Sequence, residues 1–202
     1  MKTMKTDTLI EKLRKEGILR SKDIEELGIS RAFLSKLHRK GIVERVSRGL
    51  YSLPDGNYSD SHSLAEVTKQ IPKGVICLLS ALSYHRFTTQ LPHQVWVAID
   101  VKARKPNTSG TPVRIVRFSG DHLNKGIETH RVYDIEIKVY SPAKTVADCF
   151  KYRNKIGLDV ALEALREGWR EKLFTMDELW KYAKICRVTK VMKPYMESLT
   201  NL

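Results

Sequence analysis

Three short amphipathic segments, each followed by a glycine, open the chain and constrain its fold more than any other feature. Gly17, Gly28 and Gly41 stand where glycines commonly end helices. Directly after Gly41 the spacing of apolar residues shortens from about 3.6 to about 2, over residues 42–53 and around the turn Ser47-Arg48-Gly49. The sequence therefore predicts three helices and a two-stranded hairpin, which is the winged helix-turn-helix arrangement.

Each predicted helix has a candidate cap and an apolar stripe. The candidate caps are Thr6 or Asp7, Ser21 and Ser30, whose side-chain oxygens can accept a hydrogen bond from the first turn. The segment Gly28-Ile29-Ser30 has the length that a helix-turn-helix linker requires. The stripes consist of Leu9, Ile10 and Leu13 in the first helix, Ile24 and Leu27 in the second, and Phe33, Leu34 and Leu37 in the third.

A run of turn-forming residues at 54–60 separates this region from the rest of the chain. We therefore predict an α+β protein with two domains, a winged helix-turn-helix over 1–56 and a mixed α/β domain over 57–202. For the second domain the patterns predict a helix before Pro72, a buried helix over 75–84, a small antiparallel sheet of strands 95–99, 113–118 and 135–139, a helix that begins at Ser141-Pro142, and C-terminal helices over 158–167, 175–185 and 189–199.

The charge of the chain indicates what it binds rather than how it folds. Lysine and arginine number 36 against 23 aspartate and glutamate, which gives a formal net charge of +13. A positive excess of this size attracts polyanions, and nucleic acid is the first such partner to consider, ahead of an acidic membrane surface. The sequence shows no membrane-spanning or signal-peptide pattern, and its three cysteines stand apart among apolar neighbours. These features predict a cytoplasmic protein without disulfides.

The third predicted helix and the hairpin carry the residues best suited to bind duplex DNA. If the apolar stripe of this helix faces the core, its opposite face presents basic and hydroxyl side chains to the major groove. An arginine there can bond to guanine O6 and N7 together, and cations beside the hairpin turn can contact phosphate or enter a minor groove. The predicted DNA-binding residues are Ser30, Arg31, Ser35, Lys36 and Arg39 on the helix, and Arg45 and Arg48 on the hairpin.

Motifs of common enzyme classes are missing from the sequence. The six histidines show no metal-ligand spacing, and there is no C-x-x-C pair, no phosphate-binding glycine loop and no G-x-S-x-G motif. We therefore predict no catalytic residues, no bound metal and no cofactor. One alternative is a magnesium-dependent nuclease, because Asp121 and Glu136-Ile137-Lys138 loosely fit its carboxylates and lysine, with Asp100-Val101-Lys102 as a poorer fit. Glu136 and Lys138 are equally explained as the exposed face of an amphipathic strand.

Two further polar groups have structural explanations. Ser141, Lys144 and Asp148 share a helix, and their first interpretation is a capped helix on which Lys144 and Asp148 form an i,i+4 pair at the surface. His85 and Trp96 lie in apolar segments, where such side chains commonly fill a core and make one hydrogen bond.

Four stretches of the sequence resemble the AbiEi family. They are residues 41–51, the apolar segment 75–82, the strand 95–99 and the segment 140–153, whose sequence YSPAKTVADCFKYR is the most specific of the four. The resemblance extends from about residue 8 to about residue 170. Members of this family are antitoxins of type IV toxin–antitoxin systems and transcriptional regulators linked to abortive infection and phage defence.

The resemblance implies a function for each domain. It implies an N-terminal winged helix that represses its own operon by binding repeats in the promoter DNA, and a C-terminal domain that antagonises a nucleotidyltransferase-like toxin. It implies no enzymatic activity. The DNA-facing roles carried over by the resemblance fall on Arg31, Ser35, Lys36, Arg39, Arg45 and Arg48.

Three alternatives stay open from the sequence. The protein could be a stand-alone regulator without a toxin, a nuclease with a winged-helix targeting domain, or an interaction module whose winged helix docks a protein. The oligomeric state is also open, since monomers can bind repeats side by side as readily as a dimer can.

Overall fold

The computed structural model describes residues 2–54 and 60–200, which form two compact units. The first unit comprises the described residues of Met1–Pro72 together with Lys105–Pro112 and His130–Ile137. The second unit comprises Lys73–Arg104, Val113–Thr129 and the described residues of Lys138–Leu202. Helices and strands are both present throughout, and the fold class is α+β as predicted.

The first unit begins with the three predicted helices. They are α1 (Lys2–Glu16), α2 (Ser21–Glu26) and α3 (Arg31–Arg39). The predicted caps of the first two helices are wrong. Thr6 and Asp7 lie inside α1, because this helix starts ahead of its apolar stripe. Arg20, not Ser21, is the N-cap of α2, and its backbone N–H donates to the Asp23 carboxylate at 3.2 Å.

The cap and the apolar stripe of α3 are confirmed. Ser30 Oγ accepts a hydrogen bond from the backbone N–H of Phe33 at 3.3 Å. Leu34 and Leu37 are buried, and Phe33 is half-buried beside them. Since burying each leucine is worth about 1.5–3 kcal/mol, this stripe fixes which side of α3 faces the core. The same core contains Leu9, Leu13, Leu19, Ile24, Ile29 and Val43.

A three-stranded antiparallel sheet completes the winged arrangement. Its strands are β1 (Leu19–Arg20), β2 (Glu44–Ser47) and β3 (Leu50–Ser52), in the order β1-β3-β2. The predicted hairpin is formed by β2 and β3, and its register shifts between Arg45 and Ser47, next to the turn. The sequence did not predict β1, because a strand of two residues is too short to show alternation.

Gly17, directly after α1, has a positive φ of +69° and no room for a side chain. A Cβ atom there would lie 2.8 Å from Cγ of Tyr133, which belongs to the same unit. Gly41, after α3, has nearly the same φ, +68°, but nothing lies within 4 Å of its Cβ position. Substitutions at these two glycines therefore distinguish the cost of backbone strain from the cost of steric overlap.

We expect Gly17→Ala to lower the free energy of unfolding by roughly 2–4 kcal/mol and Gly41→Ala by roughly 1 kcal/mol. Both substitutions strain the left-handed backbone, but only the first also forces a methyl group against the Tyr133 ring. Urea denaturation of the two variants measures the difference. Equal losses would show that Tyr133 imposes no constraint on Gly17.

Helix α4 (Asp60–Gln70) also belongs to the first unit. Lys69 Nζ lies 3.6 Å from the Glu16 carboxylate and 3.7 Å from that of Asp23, and the Arg20 guanidinium donates to the Lys69 carbonyl. The predicted boundary at residue 56 lies outside the described residues, as does most of the predicted linker. Lys69 of α4 thus bonds to residues of α1 and α2, and α4 belongs to the first compact unit. The sequence prediction instead starts the second domain at residue 57. The boundary at residue 56 stays a prediction.

A five-stranded sheet follows, in the order β6-β5-β4-β8-β7. Its strands are β4 (Val75–Ile76), β5 (Val95–Asp100), β6 (Val113–Phe118), β7 (Ile127–Val132) and β8 (Ile135–Tyr140). The β5–β6 and β4–β8 pairs are parallel, and the β4–β5 pair is antiparallel. The three predicted strands are confirmed, but the predicted antiparallel sheet is wrong because the sheet is mixed.

The predicted helix over 75–84 is wrong in its first part. Val75 and Ile76 form β4, and helix α5 covers only Leu78–Tyr84. Ile76 pairs with Val97 on one side and Val139 on the other, so β4 is buried inside the sheet. A strand buried on both faces is continuously apolar, and its sequence period cannot distinguish it from a buried helix.

The remaining helices all belong to the second unit. They are α6 (Asp121–Asn124), α7 (Pro142–Ile156), α8 (Leu158–Arg170), α9 (Met176–Cys186) and α10 (Thr189–Thr200). The predicted helices after Ser141 are confirmed. Helix α7 packs against α5, α8, α9 and α10, and residues 143–150 are buried without interruption. Within the described ranges, no helix has both the length and the apolar character needed to cross a bilayer.

Candidate nucleic-acid interface

The exposed face of α3 lies opposite its buried leucines. At about 100° per residue, the positions farthest from Leu34 and Leu37 are 32, 35, 36 and 39. Ser35, Lys36 and Arg39 occupy three of these positions and are exposed, and the fourth holds a small alanine. Two cations and a hydroxyl group therefore stand together on the outer face of the helix. This confirms the predicted exposure of these three side chains.

The start of α3 carries Ser30 and Arg31, both exposed. The Ser30 hydroxyl oxygen is occupied by its cap hydrogen bond to Phe33. The Arg31 guanidinium pairs with the Glu25 carboxylate of α2, and this hydrogen bond and charge raise the pKa of Arg31. Because Glu25 compensates its charge, Arg31 offers less attraction to phosphate than Lys36 or Arg39 does.

The β2–β3 hairpin places two more cations beside its turn. Arg45 on β2 is exposed, and its Nε donates to the Ser47 carbonyl at 3.4 Å. Arg48 is exposed within the turn, and its backbone N–H donates to Oγ of Ser109 at 3.2 Å. The hairpin thus presents two guanidinium groups, a type of side chain that can bond to phosphate oxygens.

From Ser30 to Pro54 the chain carries one acid, Glu44, against six cations. Lys40 is not among the predicted DNA-binding residues, although its place directly after Arg39 could have identified it. His38 is also exposed, and its Nδ1 lies 3.2 Å from the Val43 carbonyl, where it ties the end of α3 to the following segment. The six cations, all exposed, are Arg31, Lys36, Arg39, Lys40, Arg45 and Arg48.

A capped helix, the four-residue linker 27–30 that precedes it and a basic hairpin are thus combined in one small unit. Residues 7–54 match the family model described as "Transcriptional regulator, AbiEi antitoxin". We refer to this segment as the AbiEi-type domain. It runs from within α1 to just past β3 and contains every predicted DNA-binding residue. No curated protein shows a match to the chain.

The AbiEi-type domain accounts for about a quarter of the 202 residues. The resembling segments 75–82, 95–99 and 140–153 lie outside it, so the antitoxin role of residues 57–202 stays a prediction. The matched segment shows a domain of the antitoxin and transcriptional regulator family at the N-terminal side of the chain.

The residues of the nuclease alternative show no metal-binding arrangement. Glu136 is exposed and Lys138 half-buried on β8, where they alternate with buried apolar residues. Asp121 is exposed at the start of α6, and the Asp100 carboxylate accepts the Lys102 backbone N–H at 2.7 Å within a turn. Among the described side chains, the group of three ligand-type residues close enough to hold a metal ion lies elsewhere and includes none of these carboxylates.

That group surrounds Asp148, a carboxylate of α7 that is 0% exposed. Its Oδ2 accepts a hydrogen bond from Lys144 Nζ at 2.6 Å. Its Oδ1 lies 2.7 Å from His122 Nε2 and accepts the Cys186 thiol at 3.2 Å. The predicted i,i+4 pair of Lys144 and Asp148 therefore exists, but its predicted surface position is wrong, because neighbouring elements bury this part of α7.

Aromatic rings enclose the buried ammonium group of this cluster. Lys144 Nζ lies 4.0 Å from the ring centre of Tyr140 and 5.1 Å from that of Phe118. The Tyr140 hydroxyl donates to the Leu123 carbonyl at 2.7 Å, and the His122 ring stacks on Phe118 at 3.8 Å between centroids. Cation–π contacts and ordered rings thus replace water around Lys144.

His122, Asp148 and Cys186 are side chains of the kinds that bind zinc, and their ligand atoms lie within 4.8 Å of one another. In this structure His122 and Cys186 both bond to Asp148, and Lys144 supplies the charge that compensates the Asp148 carboxylate. Burial and the Asp148 charge raise the pKa of the Cys186 thiol, whose S–H donates to Asp148 Oδ1. We therefore interpret the cluster as a buried polar network of the second unit, held together by these hydrogen bonds.

Other residues singled out in the sequence are buried or half-buried in the second unit. The three cysteines are free and buried, as predicted. His85 Nε2 lies 2.8 Å from the Tyr140 carbonyl, and the Trp96 backbone N–H donates to Ser80 Oγ at 2.9 Å. The Trp96 side chain therefore belongs to the core of the second unit, and the half-buried His85 ring lies beside it with one polar partner.

Proposed function

We propose that the protein is a DNA-binding transcriptional autorepressor and the antitoxin of a type IV toxin–antitoxin system, of the kind linked to abortive infection and phage defence. The observation that carries this proposal is the match of residues 7–54 to the AbiEi regulator model. The exposed cations of α3 and the hairpin support it, because they give that domain a surface suited to a polyanion.

The DNA-binding residues divide by the contacts they are suited to make. Arg39 and Ser35, on the outer face of α3, bond to base edges in the major groove and supply sequence preference. Lys36, Arg45 and Arg48 bind phosphates and supply affinity that depends on salt. Ser30 and Arg31 stand at the N-terminus of α3, where the helix dipole favours a phosphate. Repeats in the promoter of its own operon are the proposed target.

Residues 57–202 are the proposed antitoxin region, and the proposed partner of this region is a nucleotidyltransferase-like toxin. The resemblance of residues 140–153 to AbiEi proteins supports this assignment, which involves no catalytic residue and no cofactor. Expression of the adjacent gene with and without this protein checks the partner. If the adjacent gene does not inhibit growth, the antitoxin proposal is contradicted and the protein is a stand-alone regulator.

Autorepression is tested with a reporter gene placed behind the DNA directly upstream of this gene in a heterologous host. We expect the wild-type protein to lower reporter expression and Arg39→Ala to abolish this effect. Arg166→Ala, which removes an exposed arginine from α8, is the control and should repress like the wild type. Unchanged reporter expression with the wild-type protein would contradict autorepression.

A further inference from the structure

The loop 105–112 lies between β5 and β6 in the sequence but is bonded to the β2–β3 hairpin in the first unit. Ser109 Oγ accepts the backbone N–H of Arg48 at 3.2 Å. The Gln70 side-chain amide holds the backbone of Ser109 from both sides: its Nε2 donates to the Ser109 carbonyl at 2.8 Å, and its Oε1 accepts the Ser109 N–H at 3.0 Å. Ser109 is therefore fixed directly at the hairpin turn.

The next two residues of the loop also contact this hairpin region closely. A Cβ atom added to Gly110 would lie 3.0 Å from Cβ of Ser47 and 3.1 Å from the Val46 carbonyl oxygen. The Thr111 hydroxyl donates to the buried Glu66 carboxylate of α4. Since the loop and the hairpin pack without space for a methyl group, the loop forms one surface with the hairpin turn.

The composition of the loop suits contact with a polyanion. Its sequence, Lys-Pro-Asn-Thr-Ser-Gly-Thr-Pro, contains a cation, an amide and hydroxyl groups but no acid. Lys105 and Asn107 are exposed. The two prolines restrict the backbone, which reduces the entropy lost when the loop is ordered on a partner.

The position of Lys105 limits which phosphates it can reach. It precedes Ser109 by four residues, which span at most about 14 Å of extended chain. At about 3.4 Å per base pair, this distance corresponds to about four base pairs of duplex from the hairpin turn.

We propose that the loop 105–112 is a second DNA-contacting segment, in which Lys105 and Asn107 bind phosphates beside the one bound by Arg48. Ser109 acts as a positioning residue, because its hydroxyl oxygen holds the Arg48 backbone. This inference rests on the proposed function and adds to the AbiEi-type domain a segment that lies outside residues 7–54.

The test measures binding of full-length variants to a 30-base-pair duplex from directly upstream of the gene and to a shuffled duplex. We expect Lys105→Ala with Asn107→Ala to weaken binding to both duplexes equally, by roughly three- to tenfold, and to reduce the salt slope by about 1. Lys184→Ala, an exposed lysine of α9, is the matched control. Ser109→Ala should show part of this loss of affinity. Ser109→Thr, which keeps the hydroxyl group, should bind like the wild type.

The outcomes separate this inference from the proposed function. If Arg39→Ala weakens binding but the loop variants bind like the wild type with an unchanged salt slope, the loop proposal is overturned and the regulator proposal stands. If the wild-type protein binds neither duplex, both proposals fail. Thermal unfolding of each loop variant at the wild-type temperature would show that an observed loss comes from contact rather than from folding.

Discussion

Asp148→Asn is expected to lower the free energy of unfolding by about 3–5 kcal/mol, because it leaves the Lys144 ammonium buried without a counter-charge. Lys144 is 0% exposed, and its Nζ has the Asp148 carboxylate at 2.6 Å and two aromatic rings around it. The substitution also removes charge from the acceptor of His122 and Cys186. Urea denaturation of the full-length protein, followed by circular dichroism, measures the loss.

The matched control is an exposed pair with the same i,i+4 spacing on α10. Lys193 Nζ lies 3.7 Å from the Glu197 carboxylate, and both side chains are more than half exposed. We expect Glu197→Gln to change the free energy of unfolding by less than about 0.5 kcal/mol, because water screens this pair. A loss in Asp148→Asn no larger than that of the control would contradict the buried network.

A double variant keeps the test informative if Asp148→Asn fails to fold. Lys144→Met with Asp148→Leu removes both charges and fills their space with apolar side chains. We expect this variant to be more stable than either single change, because no unpaired charge remains buried. A double variant less stable than both single variants would show that the pair contributes through something other than mutual charge compensation.

The fold of the first unit could largely be predicted from the sequence, because its signals are local. Ser30, Leu34 and Leu37 specify the start and the buried face of α3, and Gly41 marks its end. These residues lie within a few turns of one another, so helical periodicity and capping chemistry are sufficient to place them. The predicted exposure of the DNA-binding residues follows from the same stripe. The contact between Ser109 and Arg48 could not be predicted, because 61 positions separate these residues in the sequence.

The second unit depends on contacts between distant residues, and less of it could be predicted from the sequence. The direction of strand pairing follows from how the connections run between strands, which the alternating pattern of 113–118 does not reveal. Lys144 and Asp148 were predicted at the surface, because charged residues are rarely buried unless they are paired. Their burial results from α5, α8 and α9 packing around α7. The joining of His122 and Cys186 in one cluster likewise arises only in the folded chain.

Arg39→Ala is the variant expected to change DNA recognition most. Arg39 is exposed on the outer face of α3, and a good bidentate contact to a base is worth about 1–3 kcal/mol of discrimination. We therefore expect a loss of affinity for the upstream duplex of about 5- to 150-fold, with a much smaller loss on a shuffled duplex. Arg166→Ala, on α8, should leave both affinities unchanged. Equal losses on both duplexes in Arg39→Ala would assign Arg39 to phosphate instead.

The most direct test of the regulator proposal is the anisotropy of a labelled upstream duplex titrated with the wild-type protein over a series of salt concentrations. For roughly five phosphate contacts, the logarithm of the binding constant should fall with the logarithm of salt concentration at a slope near −4 to −5. We also expect the upstream duplex to be preferred over a shuffled one by about 100-fold or more. Equal and weak binding to both duplexes would contradict sequence-specific regulation. It would show that the positive surface attracts polyanions without regard to sequence.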